Sequence, residues 1–114
     1  MSIALSKRPQ FIRCLVSFYA FLDAPPGMSQ YSPLAQLRLR AGGMPPMFIA
    51  RMGNDDPNIR QSVEAFIQQA KVQAAPLQVV DYPDGVHAFD INQNTDQSRE
   101  VIRQAIAFVK KHLE

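Results

Sequence analysis

An α/β fold, a parallel three-stranded sheet with flanking helices, is what this sequence predicts, and three observations predict it. Three short apolar runs alternate with stretches of helical periodicity. Prolines and glycines punctuate the boundaries between them. The resulting order of strand, helix, strand, helix, strand, helix is the grammar of parallel strands joined by right-handed crossovers. The 114 residues suit one domain spanning 1–114. With 46% hydrophobic and 19% charged residues the balance is that of a folded globular chain. A chain of this length buries roughly two thirds of its unfolded surface.

The first run, Phe11 to Leu22, carries Ile12, Cys14, Leu15, Val16, Phe18 and Tyr19. It is apolar nearly throughout, the pattern of a strand buried on both faces. A loop and a short helix follow. Ser32 reads as its N-cap and Pro33 as its first helical residue. Leu34, Leu37 and the stem of Arg38 form its apolar side, and Gly42-Gly43 ends it. The second strand, Met47 to Ala50, is launched by Pro45-Pro46, which exclude helix and favour an extended entry. Ile59, Val63, Phe66, Ile67 and Ala70 then repeat at helical spacing. The third strand, Leu77 to Tyr82, is entered through Pro76 and left through Pro83-Asp84-Gly85, a strong turn signal. The last helix starts near Asp96 or Ser98. Its stripe is Ile102, Ala105, Ile106, Val109 and Leu113, widened by Val101 and Phe108, and Lys110 and Lys111 suit the helix dipole near its end.

Charge and composition exclude several function classes. The net charge is only +2 and no basic run or aromatic stacking motif is present, so nucleic acid is not an expected partner. No apolar stretch is long enough to span a bilayer, so no membrane association is expected. Met1 to Pro9 does not read as a signal peptide, because Ile3 to Leu5 is short and Lys7 and Arg8 follow it. Cys14 is the single cysteine, which leaves no disulfide within the chain and makes a reducing, cytoplasmic setting the expectation.

Open parallel sheets place their sites beyond the carboxyl ends of the strands. Two polar clusters sit at those ends: Arg51-Met52-Gly53-Asn54-Asp55-Asp56-Pro57 after the second strand, and Asp84-Gly85-Val86-His87-Ala88-Phe89 after the third. Adjacent parallel strands bring such loops side by side. A carboxylate beside an imidazole is the orienting pair of a catalytic triad, fixing the tautomer and stabilising the imidazolium.

These stretches resemble the C-terminal part of an α/β-hydrolase of the dienelactone-hydrolase or small-esterase kind. The segment Pro45 to Pro57 is similar to that family's strand and acid loop, where Gly-x-x-Asp precedes a small residue or proline. Val79 to Phe89 is similar to its last strand and histidine loop. Arg13 to Ala20 resembles the strand after the nucleophile helix, with Ile3-Ala4-Leu5 as the tail of that helix. The resemblance implies a partial α/β-hydrolase fold with Asp56 as the catalytic acid, Asp55 as the runner-up, and His87 as general base and then acid. It implies hydrolysis of a small carboxylic ester or lactone, with no cofactor. The nucleophile elbow, Gly-x-Ser-x-Gly, appears nowhere in the chain. Met1 therefore reads as an internal methionine of a longer hydrolase whose serine or cysteine nucleophile lies upstream.

Structural roles compete with each assignment. Asp56 also suits the N-cap of the helix starting near Pro57. His87 also reads as a loop histidine without a role. Cys14 reads as a core residue, Ser17 and Ser62 lack any elbow, and His112 reads as a solvated residue in the last helical turn. Asp55, Asp56, Asp84 and His87 lack the close helical spacing of a zinc motif, so no metal is expected. The alternative to an enzyme fragment is a non-enzymatic remnant, a module that folds and self-associates.

In the family that the chain resembles, the strand matching Ile12 to Ala20 is paired on both edges. Bare on one edge, it becomes a template for another chain. The expected outcome is a homodimer through this first strand, burying more than about 1,000 Å² in total, with Phe18, Tyr19 or Phe11 near its centre. Light scattering at micromolar concentration checks it, and a compact monomer refutes it.

Overall fold

The computed structural model describes residues 1, 5, 7, 10–39 and 44–114. Three parallel strands, β1 (Leu15–Ser17), β2 (Met47–Asn54) and β3 (Leu77–Val86), form one sheet in the order β1-β2-β3. The helices among the described residues include a 3-10 turn (Ser29–Tyr31), α1 (Pro33–Leu39), α2 (Pro57–Val72), the single-turn α3 (Phe89–Asn92) and α4 (Asp96–Leu113). The α/β expectation holds.

Alternation along β2 builds a core on each side of the sheet, because successive side chains of a strand point to opposite faces. Met47 and Ile49 join Leu34 and Leu37 of α1 and Val63, Phe66, Ile67 and Ala70 of α2. Phe48, Ala50 and Met52 join Tyr82, Phe89 and the Val101, Ala105 and Phe108 face of α4. Burying side chains such as Phe66 and Ile67 stabilises by about 1.5–3 kcal/mol each. Ser32 caps α1 as expected, its Oγ accepting from Ala35 N at 3.0 Å and donating to Asp23 Oδ1 at 2.7 Å. Arg38, whose stem was assigned to the apolar side of α1, is exposed. The expected stop at Gly42-Gly43 lies outside the described residues, as do Ile3 and Ala4. Leu5 is buried in the α1–α2 core.

Three elements depart from the sequence-based expectations. The run Phe11 to Leu22 is not one long strand. Only Leu15–Ser17 pairs, against Met47 to Ile49. The chain then bends, sending Phe18 and Tyr19 into the α4-side cluster and Leu22 into the α1–α2 core. Leu22 N is pinned by Ser62 Oγ at 3.0 Å, and that hydroxyl donates to Ile59 O. Phe18 and Tyr19 therefore do not lie along an open edge. Phe11, Val16 and Phe21 are the large apolar residues of this run that stay exposed, at 83%, 38% and 47%. The stripe of α4 is rotated relative to the expected one: Val101, Ala105 and Phe108 are buried, whereas Ile106 and Leu113 face outward. Thr95 supplies the α4 cap, its Oγ1 accepting from Ser98 N at 3.1 Å.

The third departure positions the site. β2 runs on through Asn54, and β3 runs straight across Pro83-Asp84-Gly85, where a turn was expected. From Met47↔Leu77 to Met52↔Tyr82 the paired residues are 30 apart in number (77 − 47), but at Asn54↔Val86 they are 32 apart (86 − 54). Pro83, Asp84 and Gly85 form a bulge that inserts extra residues into β3. Gly53 makes this geometry accessible: a Cβ there would lie 1.9 Å from the Pro83 carbonyl oxygen. Gly85 packs against the Met52 sulfur and the Tyr82 ring, where a Cβ would fall at 2.5 and 2.9 Å.

Gly53→Ala is therefore expected to cost about 3 kcal/mol, the upper part of the range for overpacking a tight site. A urea titration followed by circular dichroism measures it. A loss under about 0.5 kcal/mol, the level of an ordinary surface substitution, would show that the strands separate without penalty.

Candidate active site

Carried one residue past Asn54↔Val86, the shifted register sets Asp55 opposite His87. The side chains meet there, with His87 Nδ1 3.0 Å from Asp55 Oδ1. The spacing points to Asp56; the carboxylate in contact with His87 is that of Asp55, the runner-up. Asp56 is exposed, and its Oδ1 accepts from Asn58 N at 2.8 Å as the N-cap of α2. The physical reason is the bulge in β3, which no count of residues along the acid loop reveals. With the carboxylate of Asp56 committed to the first turn of α2, that of Asp55 turns toward the histidine loop.

Asp55 is fixed more firmly than a surface carboxylate. Its side chain is 3% exposed, and Oδ1 also accepts from Asp56 N at 2.7 Å. A carboxylate can only accept, so the pairing assigns a proton to Nδ1, which in the neutral imidazole leaves Nε2 as the acceptor. The His87 side chain is 52% exposed, and Nε2 has no partner among the described residues.

The histidine loop is built from its own side chains. Val86 N donates to Gln93 Oε1 at 3.1 Å, and Gln93 Nε2 donates to Asp84 O at 3.0 Å. Asn92 Nδ2 donates to His87 O at 3.3 Å. Ala88 takes a left-handed conformation, φ 55°, to enter α3, which is uncommon for a residue with a Cβ. The ring of Tyr19 lies against the imidazole, with centroids 4.8 Å apart and planes tilted by 58°. Partial burial raises the Tyr19 phenol above its ordinary pKa, and the Asp90 carboxylate adds to the rise. The sequence places Tyr19 in a strand and near the centre of an expected dimer, and its contact with His87 leaves no signal there.

The acid loop was expected to begin at Arg51, but Arg51 lies within β2. Its Nε donates to Asp81 Oδ1 at 2.5 Å and its Nη1 to Glu64 Oε1 at 3.0 Å, tying β2 to β3 and α2. The guanidinium hydrogen bond holds the Asp81 carboxyl below the usual range, and Asp81 holds the guanidinium above its own. A cavity of about 550 Å³ opens between α2 and the sheet beside Asp55, with Phe18, Ile59 and Val63 and the Arg51 network among its lining residues. His87 does not line it.

No candidate nucleophile stands at Nε2 among the described residues. Ser17 is buried within β1, and the hydroxyl of Ser62 is committed to Leu22 and Ile59. Cys14 is partly buried at the entry to β1, the opposite end of the parallel sheet from His87. His112, read as solvated, packs its ring on Phe108 at 4.5 Å. No group of three or more His, Cys, Asp or Glu among the described residues is placed to hold a metal ion. No helix among them is long and apolar enough to cross a membrane.

No protein-family model and no curated protein matches the sequence. Solved structures of Thermogutta terrifontis esterase 2 do match in fold. The form phosphoramylated by tabun aligns with a TM-score of 0.70 at 17% identity, over 87% of this chain and 41% of the esterase. The form phosphonylated by cyclosarin gives 0.67 at 17%, over 87% and 40%, and the form phosphorylated by paraoxon gives 0.66 at 18%, over 87% and 40%. The chain thus has an esterase-like α/β fold and spans about two fifths of the length of the structures it matches.

The two aspartates should separate experimentally. Asp56→Ala is expected to lower stability by about 1 kcal/mol through loss of the cap and to leave the His87 tautomer unchanged. Asp55→Ala should release the tautomer. Nitrogen-15 shifts of the imidazole report the tautomer directly. The opposite pattern would make Asp56 the carboxylate that holds His87.

Proposed function

We propose that this chain is the C-terminal part of an ester hydrolase and supplies two members of its triad, Asp55 and His87. The observation that carries the proposal is the 3.0 Å contact of Nδ1 with a buried carboxylate, at the carboxyl ends of parallel strands, with Nε2 left free. The esterase-like fold supports it. The nucleophile, a serine or cysteine, belongs to an upstream segment. His87 Nε2 takes the nucleophile's proton as it attacks the carbonyl carbon, and Asp55 stabilises the imidazolium. The imidazolium then returns the proton to the departing alkoxide. In the second half-reaction Nε2 takes a proton from water, which attacks the acyl-enzyme, and gives it back to the nucleophile. The substrate class is a small carboxylic ester or lactone, and the reaction needs no cofactor.

A second reading, a self-associating module without activity, is favoured by one observation. β1 pairs with β2 alone among the described strands, and Phe11, Val16 and Phe21 are exposed in the same run. Such an edge invites another chain.

The coding sequence upstream of Met1 discriminates the two. The hydrolase reading expects an in-frame Gly-x-Ser-x-Gly or Gly-x-Cys-x-Gly, and an in-frame stop codon there favours the module. The longer polypeptide is expected to hydrolyse p-nitrophenyl acetate and to lose about 10⁴-fold or more in turnover on His87→Ala or Asp55→Asn. The 114-residue chain alone should not exceed its own His87→Ala variant by any large factor. Robust turnover by the chain alone, abolished by a serine or cysteine reagent, would overturn the proposal, with Cys14 the first residue to inspect.

A further inference from the structure

A single hydrogen bond from Nδ1 to Asp55 does not fix an imidazole. It leaves the ring free to swing about the donor–acceptor axis, and more than half of the His87 side chain is open to solvent. A base needs its Nε2 lone pair in one direction, so a second contact must hold the plane. The one ring packed on the imidazole among the described residues is that of Tyr19.

We propose that Tyr19 is a positioning residue for His87, its ring holding the imidazole plane so that Nδ1 stays on Asp55 and Nε2 stays free. Tyr19 reaches this place because β1 stops at Ser17 and the chain bends, putting two consecutive rings onto the histidine loop. Phe18 packs edge-on against Phe89, with centroids 5.2 Å apart and planes at 64°, while Tyr19 packs on His87, two residues earlier in the chain. Phe89 in turn packs on Tyr82 at 5.6 Å, and the Tyr82 hydroxyl is bonded to Thr95 Oγ1 and Ser98 Oγ, both at 2.8 Å, at the start of α4. The clasp between the end of β1 and the histidine loop is therefore rooted in the buried α4-side core. The Asp90 carboxylate, three residues past His87, adds to the rise that partial burial gives the Tyr19 phenol. Offset or tilted ring pairs of this kind are attractive beyond the area they bury. The use of this device in catalysis rests on the hydrolase reading above; the positioning of the ring does not.

The test reads the tautomer without any substrate. In the nitrogen-15-labelled 114-residue chain, long-range proton–nitrogen correlation distinguishes Nδ1–H from Nε2–H imidazole. Wild type is expected to hold Nδ1–H. Tyr19→Phe, which keeps the ring, should preserve it. Tyr19→Ala should shift the tautomer ratio toward Nε2–H by about two- to tenfold, the span that a ring pair's contribution allows. Circular dichroism verifies that each variant is folded. Tyr19→Leu keeps apolar bulk without a ring and should show the same loss, which serves if Tyr19→Ala does not fold. A folded Tyr19→Ala or Tyr19→Leu with the wild-type ratio overturns the proposal. So does a Tyr19→Phe as damaging as Tyr19→Ala, because that makes the hydroxyl rather than the ring the agent. A held tautomer in a parent protein that does not hydrolyse esters would sink the hydrolase reading and leave this one standing.

Discussion

Between Met52 and Asn54 the backbones of β2 and β3 come so close that no side chain fits on Gly53, and there the register of the two strands changes from 30 to 32. The geometry of the candidate site depends on this one constraint. Had the register of 30 persisted, Asp55 would face Gly85 and His87 would face Pro57. The bulge sets the histidine loop back by two residues relative to the acid loop, from Pro57 to Asp55. It also keeps each side chain's face, because a shift of two preserves the alternation of a strand. The apolar residues below the bulge thus remain in their own cores while the polar residues above it are brought into register.

The two halves of the molecule divide the work. Below the bulge, β2 is buried on both faces, and α2 and α4 are anchored by Phe66, Ile67, Val101 and Phe108. Just before it the strands also carry charge: Arg51 of β2 takes Asp81 of β3 and Glu64 of α2. Every buried side-chain polar atom among the described residues has a partner, which matters at the edge of a sheet where a lost partner leaves a desolvated group. Asp81 shows the sign of the arrangement. Its folded-state pKa is depressed, so its contribution to stability is present above the unfolded pKa and is lost as pH falls through the folded one. With the side chain 58% exposed, solvent screening keeps that contribution small. The ion pairs set alignment more than stability.

The site itself rests on loops, and loops are held by local bonds. Gln93 ties its own segment back to Val86 and Asp84, Asp55 is held by the next residue's amide, and the Phe18-Tyr19 bend closes over the top. Rigid strands beneath and specific hydrogen bonds above are what a pre-organised catalytic pair requires.

Much of this was legible in the sequence. Pro45-Pro46 and Pro76 marked where β2 and β3 begin, Ser32 and Asp56 marked helix caps, and the spacing of Val63, Phe66, Ile67 and Ala70 marked the buried face of α2, because each of these is a short-range effect of backbone sterics or helical period. His87 was likewise singled out from its place after an apolar strand, and its ring meets a buried carboxylate. What the sequence misjudged has a common cause. Pro83-Asp84-Gly85 reads as a turn in isolation, yet pairing with β2 holds it extended as a bulge. The run Phe11 to Leu22 reads as one strand, yet only three of its residues pair with β2, and the rings of Phe18 and Tyr19 are drawn to Phe89 and His87. That His87 meets Asp55 rather than Asp56 turned on a two-residue slip between strands that are remote in sequence. Local sterics and periodicity determined which elements form; the pairing of distant backbone, and the close approach that Gly53 permits, decided which side chains meet.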